Sequence, residues 1–351
     1  NAQMRMLDKI LPEIYPNNRY GTRMPIGVME VVDFFPYQAL RDYYHKWYRP
    51  DQQGIVVVGD IDVDQVENKI REIFGTIAKP ENPAERYYIQ VEDNKEPIVS
   101  IAKDKEQPYA LTYIFCKHDA YPDNEKGDLT YYIYQYAANV MQIMLSQRLE
   151  ELAQSATPPF IQASIYDGVF FLSKTKKALC GIAVTNENDL TKGISTVYRE
   201  MLRAVRNGFT ESEYERARAE ILTHIESAYN ERNKVKSANY CKEYVRHFID
   251  NEPIPGIENE FALSQQLIPN IPLQVINQYI NTLISDSNLV VACMLPEKEG
   301  VTYPTEAELK TLFANVAAEN IAPYQDKVSN EPLIAKAPKA GKVKKTEESL
   351  F

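Results

Sequence analysis

The chain has 351 residues, and 39 Lys+Arg against 49 Asp+Glu give a formal net charge of −10. That length accommodates about two domains and a sizeable core, and 44% hydrophobic with 25% charged residues is the composition of an ordinary globular protein. The acid excess argues against a nucleic-acid-binding domain, which usually carries a basic face, and no run approaches the ~18 apolar residues of a membrane span.

The first fifteen residues predict a helix, because Met4, Leu7, Ile10 and Leu11 recur at helical spacing. No charged leader, apolar core or cleavage site precedes it. A chain that opens inside an amphipathic helix reads as part of a longer protein. Residues 13–32 carry turn residues: Pro16, Gly21, Pro25 and Gly27. A helix follows over 36–48, with Leu40, Tyr43, Tyr44 and Trp47 on one side, and Arg49-Pro50 ends it. Gly54 to Asp60 (GIVVVGD) is an unbroken apolar run, which predicts a strand covered on both faces. Asp62 caps a helix with Val63, Val66, Ile70 and Ile73 on one face, and Gly75 stops it.

Residues 79–95, with mixed charge and prolines, predict a linker between two units. Strands follow over 97–103 and 109–117, then a loop and a long helix over 128–154. That helix carries Leu129, Ile133, Tyr136, Val140, Met144 and Leu145 on its apolar stripe, and Thr157-Pro158-Pro159 stops it. Ile161, Ala163 and Ile165 alternate as a strand. Asp167-Gly168 predicts a hairpin turn, with strands over 169–173 and 178–185 after it. Two helices come in tandem. The first spans 189–206. The second opens at a Thr210/Glu213 capping box, turns Ala217, Ile221, Ile225 and Ala228 inward, and continues to Asp250 with a break. Shorter helices over 258–266 and 272–283 follow, the latter capped by Asn270. Residues 289–295 (LVVACML) predict a buried strand. Thr305 and Glu308 form a second capping box for a helix ending near Asn320. Residues 321–351 read as a proline- and lysine-rich linker. The pattern is α+β, with mostly antiparallel sheet on one side and helices on the other.

Cys116, Cys180, Cys241 and Cys293 form no CxxC pair. They read as buried small hydrophobes, with two disulfides as the alternative.

Three segments resemble the pitrilysin/insulinase-type zinc peptidases of family M16. They are RYGTRMPIG at Arg19–Gly27, the run from Tyr43 to Asp62 containing WYRPDQQGIVVVGDID, and MLSQRLEELAQ at Met144–Gln154 followed by Pro158-Pro159-Phe160. The resemblance implies two units of the LuxS/MPP-like metallohydrolase type, the first incomplete. Residues 1–78 would end a catalytic-type domain, 79–95 would link, 96–320 would form the non-catalytic second domain, and 321–351 would lead toward a C-terminal half. It also implies that the parent is a zinc-dependent endopeptidase of the cell envelope or periplasm, acting on peptides or unfolded segments in a closed chamber. The partners are then the substrate and the remaining halves of the same polypeptide, with no nucleic acid. The alternative is a non-catalytic scaffold or processing partner of the same superfamily.

Such peptidases hold zinc with an HxxEH helix, in which two histidines one turn apart bind the metal and the glutamate is the general base. Here the closest of the four histidines, His224 and His247, are 23 positions apart, so this chain carries neither the motif nor a zinc site. His45 reads as a surface or helix-end residue, His118 as a strand-end residue able to take adventitious metal, and His224 and His247 as solvated or capping. No residue is assigned a catalytic role. In the resembling family's C-terminal half, an arginine and a tyrosine enter the chamber from a pattern that Arg148-Leu149 and Glu151-Leu152 match only at its start. Ala153 replaces its second arginine. Arg148, Tyr132 and Tyr136 are the candidate chamber-lining residues. The competing readings are a salt bridge for Arg148 and core packing for the tyrosines.

Overall fold

The computed structural model describes residues 1–327 and the single positions 334, 336, 338, 339, 341 and 342. Most of the expected 321–351 linker therefore lies outside the described residues.

Five strands make one mixed sheet: β1 (Ile98–Asp104), β2 (Ala110–Asp119), β3 (Gln162–Val169), β4 (Lys176–Thr185) and β5 (Leu289–Pro296), in the order β1-β5-β2-β4-β3. β1 and β5 run parallel, and the other neighbours are antiparallel. The long connection from β4 to β5 carries the helices that make the parallel entry of β5 possible.

One face of the sheet is covered by α6 (Leu129–Ala153), α7 (Leu190–Asn207), α8 (Glu211–Asn230), α11 (Leu273–Asn281) and α12 (Glu306–Ala318). The other face is covered by α1 (Ala2–Ile14), whose Met6, Ile10 and Leu11 pack with Phe115, Cys180 and Met294. Strand parity sorts the residues. In β5, Val291, Cys293 and Leu295 face the helical layer, whereas Val290, Ala292 and Met294 face α1. Cover on both sides is why this strand reads as an unbroken apolar run. α1 thus seals the sheet of residues 98–296, although it precedes the 79–95 segment in sequence. That segment has no regular structure, and its Val91 is buried in the α1 cluster.

Three of the expected caps form: Asp62 accepts from Gln65 N to start α5 (Val63–Phe74), and both capping boxes close. Asp128, not read as a cap from the sequence, accepts from Tyr131 N to start α6. The expected break falls at Arg232–Lys234, before α9 (Ser237–Asp250).

Five expectations are corrected. Asp167 and Gly168 are not a turn: they sit inside β3, opposite Leu179 and Ala178. The reversal lies further on, where Phe170 N donates to Lys176 O and Phe171 takes φ 50°, so residues 170–173 are turn, not strand. Asp-Gly suits a turn locally, but continued pairing with β4 outweighs that preference. Gly54–Asp60 forms no strand either. It has no regular structure and no ladder partner, it bends at Gly59-Asp60, and Ile55 and Val57 are about half exposed (47% and 49%). An isolated strand leaves its backbone groups to water. Asn270 does not cap α11: its amide donates to Gln266 O, and Pro272 holds the N-cap position. The disulfide alternative falls, because all four cysteines are free; Cys116, Cys180 and Cys293 are buried.

Candidate functional site

The three sequence-predicted chamber residues do not converge. Arg148 is enclosed, its Nε 2.6 Å from Glu213 Oε1 and a terminal nitrogen 3.0 Å from Oε2. Its guanidinium lies between the rings of Phe209 and Tyr324, at 4.8 and 4.3 Å. Tyr136 is buried, with its hydroxyl 3.1 Å from that of Tyr214, which donates to Ile271 O at 2.6 Å. Tyr132 is half-buried, and burial, with Glu260 nearby, pushes its phenol up to about 12. Arg148 and Tyr136 therefore fasten α6 to α8, and Tyr132 alone of the three keeps a partly open side.

The side chains that do converge are others. At the end of the sheet near the start of α6, the Asp167 carboxylate is fully enclosed and collects four donors. His118 Nε2 lies 2.7 Å away on β2, Lys177 Nζ on β4, Tyr134 OH at 3.1 Å on α6, and Tyr279 OH at 2.9 Å on α11. Parity puts them there: Asp167 shares a strand face with Ile165, Lys177 with Leu179, and His118 with Cys116, and all three neighbours face the helical layer. Burial alone would raise the Asp167 carboxyl. The His118 hydrogen bond and the Lys177 charge overcome it and hold the group below the usual carboxylate range. Burial and the Asp167 charge push the phenols of Tyr134 and Tyr279 far up, so both stay neutral hydrogen-bond donors. The sequence signal for this centre was present, because Asp167 continues the alternation of Ile161, Ala163 and Ile165. The Asp-Gly turn preference masked it.

In front of Tyr134 opens a cleft of about 610 Å³. Tyr121 and Tyr131 stand 4.8 Å apart in it, and Tyr121 and Tyr134 5.0 Å apart. Tyr131 OH donates to Glu252 at 2.8 Å, and Lys126 Nζ reaches Asp123 at 2.8 Å and Glu252 at 3.1 Å. Each charge has a partner, and the tyrosines offer ring faces and a hydroxyl. This chemistry suits holding an amphipathic chain. The Asp167 carboxylate is fully enclosed and engaged by four donors, which leaves it no access to a substrate as a base, and the neutral phenols are poor nucleophiles.

Among the described residues, no group of three or more His, Cys, Asp or Glu side chains could hold a metal. His118 is committed to Asp167, His247 bonds Glu252 O at 2.6 Å, and His45 and His224 are exposed. The donors among the described residues do not fit a zinc centre. No helix of the described residues is long and apolar enough to cross a membrane.

Comparison with known proteins bears on this geometry. A plant relative, "Zinc protease PQQL-like" of Arabidopsis thaliana, is 24% identical over 98% of this chain and 32% of its own length. "Probable zinc protease PqqL" of Escherichia coli is 21% identical over 78% of this chain and 29% of its own. The chain thus spans about a third of the length of these zinc-protease relatives. Among solved structures, the periplasmic protease PqqL from Escherichia coli superposes with a TM-score of 0.81 at 19% identity, over 97% of this chain and 37% of that one. The first half of that protein gives 0.80 at 19% identity, over 93% and 69%. These likenesses establish the fold. The family profile of the "Peptidase M16 inactive domain" matches residues 35–221, more than half of the chain, and the chain therefore belongs to the peptidase M16 family.

Proposed function

We propose that this chain is a non-catalytic wall of a longer M16 zinc endopeptidase, which hydrolyses peptides or unfolded segments in a closed chamber. The observation that carries this reading is an unfinished layer beside a finished one. The sheet of β1–β5 is covered on both faces. In contrast, α3 (Met29–Phe34), α4 (Tyr37–Trp47), the unpaired Gly54–Asp60 segment and α5 have no buried residues, and Phe34, Leu40, Tyr43, Val63 and Ile73 are all more than half exposed. Exposed apolar area of this extent marks a missing partner. In this reading the partner is the rest of a catalytic-type domain, which supplies the strands beside Gly54–Asp60 and the zinc ligands.

Residues up to 78 then end the catalytic-type unit, with α1 reaching onto the second unit, which spans 96–320. Tyr132 and the tyrosine-lined cleft face the enclosed peptide, and residues 321–351 lead toward the C-terminal half. The solved relative's periplasmic origin supports a cell-envelope location for the parent. The test is zinc analysis and peptide hydrolysis for the full-length protein and for this chain alone. The expected result is one zinc and chelator-sensitive cleavage in the first, and neither in the second. Full-length protein without zinc would replace this reading with the scaffold or processing-partner role.

A further inference from the structure

Beyond α12 the chain runs without regular structure across α7 and α8, and arginines hold it there. Arg199 pairs with Glu319 at 2.5 Å, Arg206 donates to Glu319 O at 3.1 Å and also to Ala317 O in the last turn of α12 at 2.6 Å, and Arg203 donates to Ala322 O at 2.5 Å. Further along, Asp326 accepts from Ser212 Oγ at 2.5 Å and from Arg216 at 2.7 Å. Tyr324 lies over the Arg148 guanidinium and donates to Glu151 at 2.8 Å. These contacts differ in kind from those holding α12, whose Leu309, Phe313 and Val316 are buried in the main core. The two ion pairs among them, Arg199–Glu319 and Arg216–Asp326, are individually weak and salt-sensitive, whereas core burial is neither. The segment's main apolar anchor is Ile321, 8% exposed.

We propose that Arg203, Arg206 and Arg216 form a releasable clasp that docks residues 319–326 on α7 and α8, and that its release lengthens the tether leading on from α12. Each freed residue adds up to ~3.3 Å, so release of 319–326 adds roughly 25 Å of reach. Resting on the reading of the chain as one part of a two-half peptidase, the longer tether lets the two halves move further apart. Two of the arginines grip backbone carbonyls, so the grip tolerates changes in the segment's side chains. The Arg216–Asp326 pair sets its register.

Paired spin labels test the clasp without metal or substrate. Glu220 and Gln325 are exposed, and Cys116, Cys180 and Cys293 are buried, so labels at Glu220→Cys and Gln325→Cys in a Cys241→Ser background report the distance from α8 to the segment. The expected result is one narrow distance at low salt. It broadens toward longer values in high salt, in the Arg203→Ala/Arg206→Ala/Arg216→Ala variant and in Arg216→Asp. It narrows again in Arg216→Asp/Asp326→Arg. A broad distribution in the parent protein, an unchanged narrow one in the triple variant, or no recovery in the swap would overturn the clasp. In the full-length protein, the triple variant should alter turnover of a flexible peptide with zinc content unchanged, and unaltered turnover would overturn the tether's role in opening. The label result stands whether or not the full-length protein proves to be a zinc peptidase.

Discussion

Arg148 and Glu213 form a buried ion pair, with side chains 1% and 2% exposed and Nε 2.6 Å from Oε1. Glu213 also accepts from Thr210 N at 2.9 Å, so one carboxylate both closes the capping box of α8 and ties that helix to α6. Removing one partner leaves the other charge buried and unpaired, which costs about 3–5 kcal/mol. Arg148→Ala and Glu213→Ala should each lower the urea midpoint strongly, and the double variant Arg148→Met/Glu213→Gln should recover much of the loss. A loss in the double variant equal to the sum of the two single losses would show that the pair is not coupled.

Asp167 predicts a pH dependence. Its carboxyl titrates below the ordinary value in the folded chain, because His118 and Lys177 outweigh the opposing effect of burial. A group with a depressed folded-state value adds stability that is fully present above the unfolded value of about 3.9 and is lost as pH falls through the folded one. Wild type should therefore be more stable than Asp167→Asn at neutral pH, with the gap closing below about pH 4. A gap independent of pH would mean that the carboxylate charge contributes nothing.

Gly208 ends α7 at φ 71° and ψ −161°, a region open essentially to glycine alone. A Cβ there would also meet the Asn277 side chain at 2.7 Å. Gly208→Ala should destabilise by about 1–3 kcal/mol, measured by chemical denaturation. Gly341→Ala, with nothing within 4 Å of its Cβ, serves as the control.

The inward stripe of α8 gives a graded test. Ala217 is fully buried, whereas Ile221 is only half-buried. Ala217→Asp should abolish the cooperative transition, because an unpaired carboxylate in the core costs several kcal/mol. Ile221→Asp should leave a folded chain of lower midpoint. The reverse order would mean that the helix is rotated from the phase described.

Much of the helical layer was legible because its signals are local. Thr210 with Glu213, Thr305 with Glu308, and Asp62 each satisfy backbone donors within one turn, so a short stretch of sequence suffices to place them. The four strands β1, β2, β4 and β5 were legible from apolar content. The three chamber residues were chosen by family pattern and residue type, and neither shows which face of α6 packs against α8.

What only the tertiary structure decided is pairing. Asp167-Gly168 has the local character of a turn, yet the partner strand extends β3 through it and carries Asp167 inward to His118, Lys177, Tyr134 and Tyr279. Gly54–Asp60 has the composition of a central strand, yet without a neighbour to accept its backbone hydrogen bonds it stays unpaired. The first fifteen residues by themselves specify an amphipathic helix. That this helix seals the far side of a sheet beginning at Ile98 depends on contacts about a hundred or more positions away, which periodicity along the chain does not encode.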